Sequence, residues 1–400
     1  MSIKFPLAAT TVLAIAAAAI PSGPAQAVSI TGWNTGNVDV APSPAEGVTG
    51  VSVVYDRDPN NPAARSSGQI VFTPPEAISP GIQVAPEVYT SGVQLDGCLM
   101  TSNPTATCTS PFQSGKRIKQ QMTGSDPVDL VFDVETTSPG DATYQVFGRL
   151  INVTGKAIRK FTVELGFGIG SAFTAVDGLS ISTEFQASPR GSGSASTQFP
   201  FGLFGDASTS KNFLLDGFYD DARTGLTVSQ TMNVLTSGAY FGEYDAMFGP
   251  WLSQEDVPTG FFWDNDDSAD TDALLMAWEY APDLWELRRT PGQTCDPSDA
   301  TNCINAETLS VYEDGYSLAD LLKLFDDDYG ITSGLSDGAV EDLANLNVNY
   351  AINVDEAYAY ESLTIRTMVA PVPLPAGGPM LLAGFSALGL LMRRRRAGAA

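Results

Sequence analysis

The densest set of potential ligand atoms in this 400-residue sequence is the run Asp264-Asn265-Asp266-Asp267-Ser268-Ala269-Asp270-Thr271-Asp272. The carboxylates of Asp264, Asp266, Asp270 and Asp272 resemble the opening of a calcium loop, because Ca²⁺ takes roughly 6–8 hard oxygen ligands. The run departs from the EF-hand pattern. Ala269 stands where the turn glycine belongs, and Leu275 stands where a bidentate glutamate would close the site. A second reading is a solvated acidic turn that caps a following helix, with Asp270 and Asp272 placed to meet the positive end of the helix dipole. The two readings are compatible. The triplet Asp326-Asp327-Asp328 reads as a solvated helix end.

The sequence contains no histidine. It therefore holds no Ser-His-Asp or Cys-His nucleophile, no histidine metal ligand and no imidazole relay, which argues against zinc, copper and haem. Its four cysteines fall into two close pairs, Cys98 with Cys108 and Cys295 with Cys303. Four cysteines allow three connectivities. Local pairing is the simplest, since each pair brackets a short, polar, turn-rich loop, and an oxidising compartment favours such bonds. Neither pair has the C-x-x-C spacing of a redox or metal site.

Gly166, Gly168 and Gly170 lack the full phosphate-loop pattern and read as turn glycines. Asn152-Val153-Thr154 matches a glycosylation sequon. A pair of carboxylates for glycoside hydrolysis cannot be picked from 46 acids by sequence position.

The elements that must carry these residues are mostly strands. Residues 51–55, 69–73, 128–134, 144–153 and 161–165 are β-branched or aromatic runs bounded by turn residues. In 128–134 the apolar members alternate with Asp129, Val131 and Asp133. The segment 152–157 has the composition of a hairpin turn. Short strands with frequent turns argue for a β-sandwich.

Residues 186–198 are Ser/Gly-rich and read as a loop or linker, where a domain boundary is placed. Beyond it, 271–289 has apolar residues at roughly helical spacing, with Pro282 kinking or dividing the helix. Ser317 caps a helix over 317–325, with Asp320 three residues on. Residues 335–346 suit a further short helix capped by Ser336, and 348–354 and 362–369 return to strand.

Both ends of the sequence have a different character. Lys4 is followed by an apolar run at 7–20, helix breakers at 21–24, and Ala25-Gln26-Ala27, the small-x-small pattern that a signal peptidase cuts. That run of 14 residues is short of the roughly 20 needed to span a bilayer. At the other end, Val372-Pro373-Leu374-Pro375-Ala376 is held extended by its prolines. An uncharged apolar stretch at 377–392 follows, and then Arg393, Arg394, Arg395 and Arg396. An arginine block after an apolar helix stays on the cytoplasmic side, which leaves the body outside.

The first 27 and last 30 residues hold five of the 21 basic residues and none of the 46 acids, so the body between them carries a formal charge of −30. Such a body repels nucleic acid and anionic head groups.

The C-terminal tail resembles the VPLPA-type PEP-CTERM sorting signal: a proline-containing motif at Val372–Ala376, one hydrophobic helix and an arginine cluster, in that order. The resemblance implies cutting near the motif by a membrane-embedded exosortase. The body resembles the choice-of-anchor surface proteins, type F, through ITGWNTGNVD at 30–39, VELGFG at 163–168 and GFFWDNDD at 260–267. That family brings no assigned activity and no catalytic residues.

The fold expected is mainly β: a β-sandwich-like exported body with a few short α-helices in its C-terminal half, plus an N-terminal signal helix and a C-terminal transmembrane helix. The divisions expected are a signal peptide at 1–27, a sandwich at 28–185, the loop at 186–198, a mixed β/α region at 199–370 and the sorting tail at 371–400. The function expected is that of a non-enzymatic cell-surface or matrix protein, with a secreted carboxylate-dependent hydrolase as the alternative. Its expected partners are signal peptidase, exosortase and extracellular polysaccharide or other surface components. It meets the membrane through its tail before cleavage and does not bind nucleic acid. No cofactor is expected apart from the calcium option.

Overall fold

The structure is a computed structural model that describes residues 27–86, 95–108, 114–138, 140–182, 228–238, 250–265, 267, 273–292, 294–296, 299–304 and 308–372. In chain order the strands are β1 (Ala27–Asn34), β2 (Val38–Asp39), β3 (Gly50–Val54), β4 (Gly68–Phe72), β5 (Ile82–Ala85), β6 (Gly97–Thr101), β7 (Ile118–Met122), β8 (Val128–Ser138), β9 (Ala142–Asn152), β10 (Ile158–Gly166) and β11 (Leu179–Ser182). They continue as β12 (Val228–Gln230), β13 (Val234–Ser237), β14 (Thr259–Trp263), β15 (Leu274–Ala281), β16 (Leu284–Pro291), β17 (Thr294–Asp296), β18 (Asp299–Ile304) and β19 (Thr308–Tyr316). Helix α1 (Leu318–Tyr329) precedes β20 (Leu335–Ala339), β21 (Asn345–Val354) and β22 (Ser362–Pro371).

The protein is mainly β. One sheet runs β1-β8-β22-β10-β13-β12, and a second runs β11-β21-β9-β7-β4-β3-β2, with β6 parallel beside β9 and β5 on the far side of β6. The two sheets share one apolar core. Val128, Leu130 and Phe132 of β8, Leu363 and Ile365 of β22, Val146 and Leu150 of β9, and Leu346, Val348 and Ile352 of β21 are all buried in it. Period-two alternation of β8 explains this: its apolar residues enter the core, and Asp129, Val131 and Asp133 lie on the other face.

Four strands from the region 199–370 complete these sheets. β12 and β13 extend the first, β22 lies near its centre between β8 and β10, and β21 lies beside β9 in the second. The rest of that region forms a third sheet, β19-β16-β15-β14-β20, and a small β17-β18 ladder. The boundary expected at 186–198 lies outside the described residues.

Three local expectations are corrected. The helix expected over 271–289 is absent from its described part, 273–289. That part contains β15 and the start of β16, joined at Pro282-Asp283, where Asp283 takes a positive φ of 55°. The apolar run 274–277 serves both faces of a covered sheet. Leu274 and Met276 pack toward α1, and Leu275 packs toward Val340 and Leu343. A strand buried on both sides reads as a continuous apolar run, and its residues can fall at helical spacing by accident.

Residues 335–346 form β20, a 3₁₀ turn at Glu341–Leu343 and the start of β21, because 335–339 pairs with β14 along the sheet edge. Residues 152–157 do not close a hairpin. β9 and β10 belong to different sheets, so the segment is an arch between them. Asn152 holds the arch from inside: its Nδ2 donates to the carbonyls of Lys156 and Trp251, and its Oδ1 accepts from Thr154. The sequon asparagine is fully buried and committed at both ends of its amide.

The helix at 317–325 is present as α1, with Ser317 as N-cap and a reciprocal capping box to Asp320. It ends at Gly330 in the left-handed conformation, and Leu321 and Phe325 seal one face of the third sheet. Among the described residues no helix is long and apolar enough to cross a membrane. The signal segment at 1–26 and the tail at 373–400 lie outside those residues.

Candidate functional site

Of the residues at the expected processing points, Ala27 and Val372 are described. β1 starts at Ala27, the last residue before the expected cut, and Val28 and Ile30 are already in the core. β1 is an edge strand, bonded to β8 alone. At the other point, Pro371 of β22 pairs with Ile158, and the Val372 amide donates to the Ala157 carbonyl at 2.8 Å. Val372 therefore leaves the sandwich from a central strand. Ala25, Pro373, Leu374, Pro375, Ala376 and Arg393 to Arg396 lie outside the described residues.

The acidic loop is described only in part. The Asp264 amide donates to the Gly334 carbonyl at 2.7 Å, and the Asp267 amide donates to Asp264 Oδ1 at 2.9 Å, a local side-chain-to-backbone bond three residues apart. Asp266, Asp270 and Asp272 lie outside the described residues. Among the described residues, no group of three or more His, Cys, Asp or Glu side chains is placed to hold a metal. The capping role expected for Asp270 and Asp272 is overturned, because the element after them is strand β15.

Calcium can still be tested in solution. A ligand that binds only the folded state stabilises it by mass action, by about 2.7 kcal/mol at one hundred times Kd. Millimolar Ca²⁺ is expected to raise Tm, and the Asp266→Asn/Asp270→Asn variant is expected to lose that gain. An equal shift in both proteins would assign the effect to neutralisation of the acidic body instead.

Cys98 and Cys108 form a disulfide with a Cα–Cα distance of 5.9 Å. Both are buried beside Met100 and Phe147, and Lys116 covers them, its Nζ donating to the Cys108 carbonyl at 3.0 Å and lying 4.3 Å from the Phe147 ring centre. Cys295 and Cys303 are register partners across β17 and β18, which is the backbone placement a second local bridge needs. Peptide mapping without reductant is expected to recover Cys98–Cys108 and Cys295–Cys303. A peptide joining the two pairs, or free thiols in exported protein, would refute local pairing.

The best-built polar constellation was not singled out from the sequence. β8 and β22 place Asp129 directly opposite Arg366 on the face away from the core. Arg366 Nε and Nη2 donate to the two carboxylate oxygens of Asp129, both at 2.7 Å. The loop between β10 and β11 folds over this pair. Arg366 Nη2 donates to the Gly170 carbonyl at 2.7 Å, the Gly170 amide donates to Asp129 Oδ2 at 2.6 Å, and the guanidinium lies 3.9 Å from the Phe173 ring centre. Thr364 Oγ1 donates to the Gly168 carbonyl at 2.8 Å.

Asp129 is 1 % exposed, so an outward-facing strand residue becomes fully buried. Gly170 has φ 54°, and a Cβ there would run into the Asp56 carbonyl, so only glycine fits. Beyond the pair, Phe167 and Tyr360 stack at 4.6 Å with partly exposed rings. Asp129 gave no signal in sequence that sets it apart from Asp133, the other carboxylate of the alternating run in β8. Nothing in sequence spacing pairs it with an arginine 237 residues away.

The fold and these sites define a mainly β protein, two sheets around one core with a third sheet and a helix attached. No family model matches the chain, and no curated protein and no solved structure was found to be similar to it.

Proposed function

We propose that this chain is an exported, non-enzymatic cell-surface or extracellular-matrix protein, made as a membrane-bound precursor and released from its tail by an exosortase. The observation that carries this reading is the sequence at the two ends, set against the strands that lie between them. The first core residue, Val28, directly follows the signal-type Ala25-Gln26-Ala27 pattern, and the last strand ends at Pro371, directly before the VPLPA motif. The disulfide fits an oxidising compartment.

Signal peptidase and exosortase are the processing partners. The partners of the mature form are extracellular polysaccharide or other surface components. Nucleic acid is disfavoured by the negative charge of the body.

Cell fractionation tests the proposal. Full-length protein is expected in the envelope or at the surface, and a chain ending at Pro371 is expected in the soluble exported fraction. Recovery of the full-length protein in the cytoplasm would overturn the proposal.

A further inference from the structure

Between the two main sheets lies a cavity of about 20 Å³. Gly148 is one of its lining residues. It sits in β9 between Val146 and Leu150, both core residues, so the period of two directs its missing side chain into the core. Nothing larger fits, since a Cβ on Gly148 would lie 2.6 Å from the Val348 carbonyl oxygen of β21.

The lining is mostly apolar; its polar members are Gln120 of β7, Tyr350 of β21, Thr367 of β22 and Arg149 of β9, whose Nε donates to Asn347 Oδ1 at 3.2 Å. Gln120, Tyr350 and Thr367 are 4 %, 6 % and 2 % exposed. Among the described residues neither hydroxyl has a protein hydrogen-bond partner, and the Gln120 amide reaches only the Met122 thioether, a weak acceptor, at 3.5 Å. Buried polar groups in folded proteins are almost always satisfied, by protein or by ordered water. Burial pushes the Tyr350 phenol above its ordinary range, so it stays a neutral donor. The volume suits one water, which needs roughly 10–15 Å³ on this measure and two to four polar partners.

We infer that one internal water occupies this cavity and bridges the two sheets through Gln120, Tyr350 and Thr367. Its contacts come from three strands remote in sequence, so it is a built part of the sandwich. An apolar occupant would leave all three groups unsatisfied.

The test uses the full chain. A crystal structure at a resolution that orders waters is expected to show one density peak within about 3 Å of at least two of the three polar groups. Oxygen-17 relaxation dispersion counts waters of long residence, and the Tyr350→Phe/Thr367→Val variant is expected to show one fewer than the unaltered chain. A dry cavity in the unaltered crystal structure, or an equal count in a folded variant, overturns the inference. If the variant does not fold, the density in the unaltered chain decides alone.

Discussion

An Arg366→Met chain is expected to lose about 3–5 kcal/mol of folding stability, the scale found when one partner of a buried ion pair is removed. The loss comes from what remains. Asp129 is 1 % exposed and would keep a carboxylate with no guanidinium against it. The Gly170 carbonyl would lose its charged donor, and Phe173 would lose the cation over its ring. The reverse change, Asp129→Leu, strands Arg366 and the Gly170 amide, and a similar loss is expected.

The double variant Asp129→Leu/Arg366→Met separates the worth of the pair from the cost of breaking it. Apolar replacement of both partners of a buried pair is often neutral or stabilising. Here the Gly170 amide and carbonyl would still lose partners, so the double variant is expected to recover most of the loss and not all of it. The readout is the urea midpoint at unchanged m-value. Single-variant losses within about 0.5 kcal/mol, typical of surface substitutions, would show that the pair is not buried as described. Additive losses in the double variant would show that the residues are not coupled.

The sequence made β8 legible and hid its most consequential residue. The alternation of Val128, Leu130, Phe132 and Val134 with Asp129 and Asp133 predicts one buried face and one wet face, and the first half of that is what the fold has. Asp129 is not wet, because the 167–174 loop crosses over it and supplies Gly170 and Phe173. Coverage by a loop is a tertiary event with no local signature. The same holds for Gly148, which in sequence is an ordinary weak spot in a strand and in the fold lines a small cavity in the core.

Helix α1 was legible because its signals are local. Ser317 and Asp320 form the capping box within four residues, and Gly330 stops the helix. Residues 271–289 misled because their apolar residues serve two different cores, one on each side of a sheet, so neither a period of two nor a single helical stripe survives. The 152–157 turn was recognised as a turn. Where it leads depends on which sheet each flanking strand joins, and that is settled by β21 and β22, some 190 residues further on. Of the candidate sites, the disulfide at Cys98 and Cys108 was legible from spacing, and the calcium reading rests on residues of which only Asp264 is described.

Replacement of the VPLPA motif is expected to change the fate of nearly every molecule. In a host with an exosortase, intact mass of the surface form is expected to show a C-terminus near Ala376, with the apolar segment and the arginines gone. A chain with Val372–Ala376 replaced is expected to accumulate uncut in the membrane. The physical argument starts from the sequence of the tail. The apolar stretch at 377–392 has 16 residues at about 1.5 Å per residue, against roughly 30 Å of hydrocarbon. Gly377, Gly378, Gly384 and Gly389 weaken it further as a helix. A permanent anchor would be longer and better helix-forming, whereas a transient one needs only to halt in the bilayer.

In the proposed precursor the fixed φ of Pro373 and Pro375 favours an extended chain, a form a processing enzyme can bind. The last described strand, β22, is bonded on both sides, to β8 and β10, so in the proposed precursor the motif would follow directly on a strand held within the first sheet. In the proposed orientation Arg393 to Arg396 would stay on the cytoplasmic side by the positive-inside rule. Their deletion is expected to let the chain pass through the membrane uncut. A surface form that ends at Ala400 in such a host would show that the tail is an anchor and not a sorting signal.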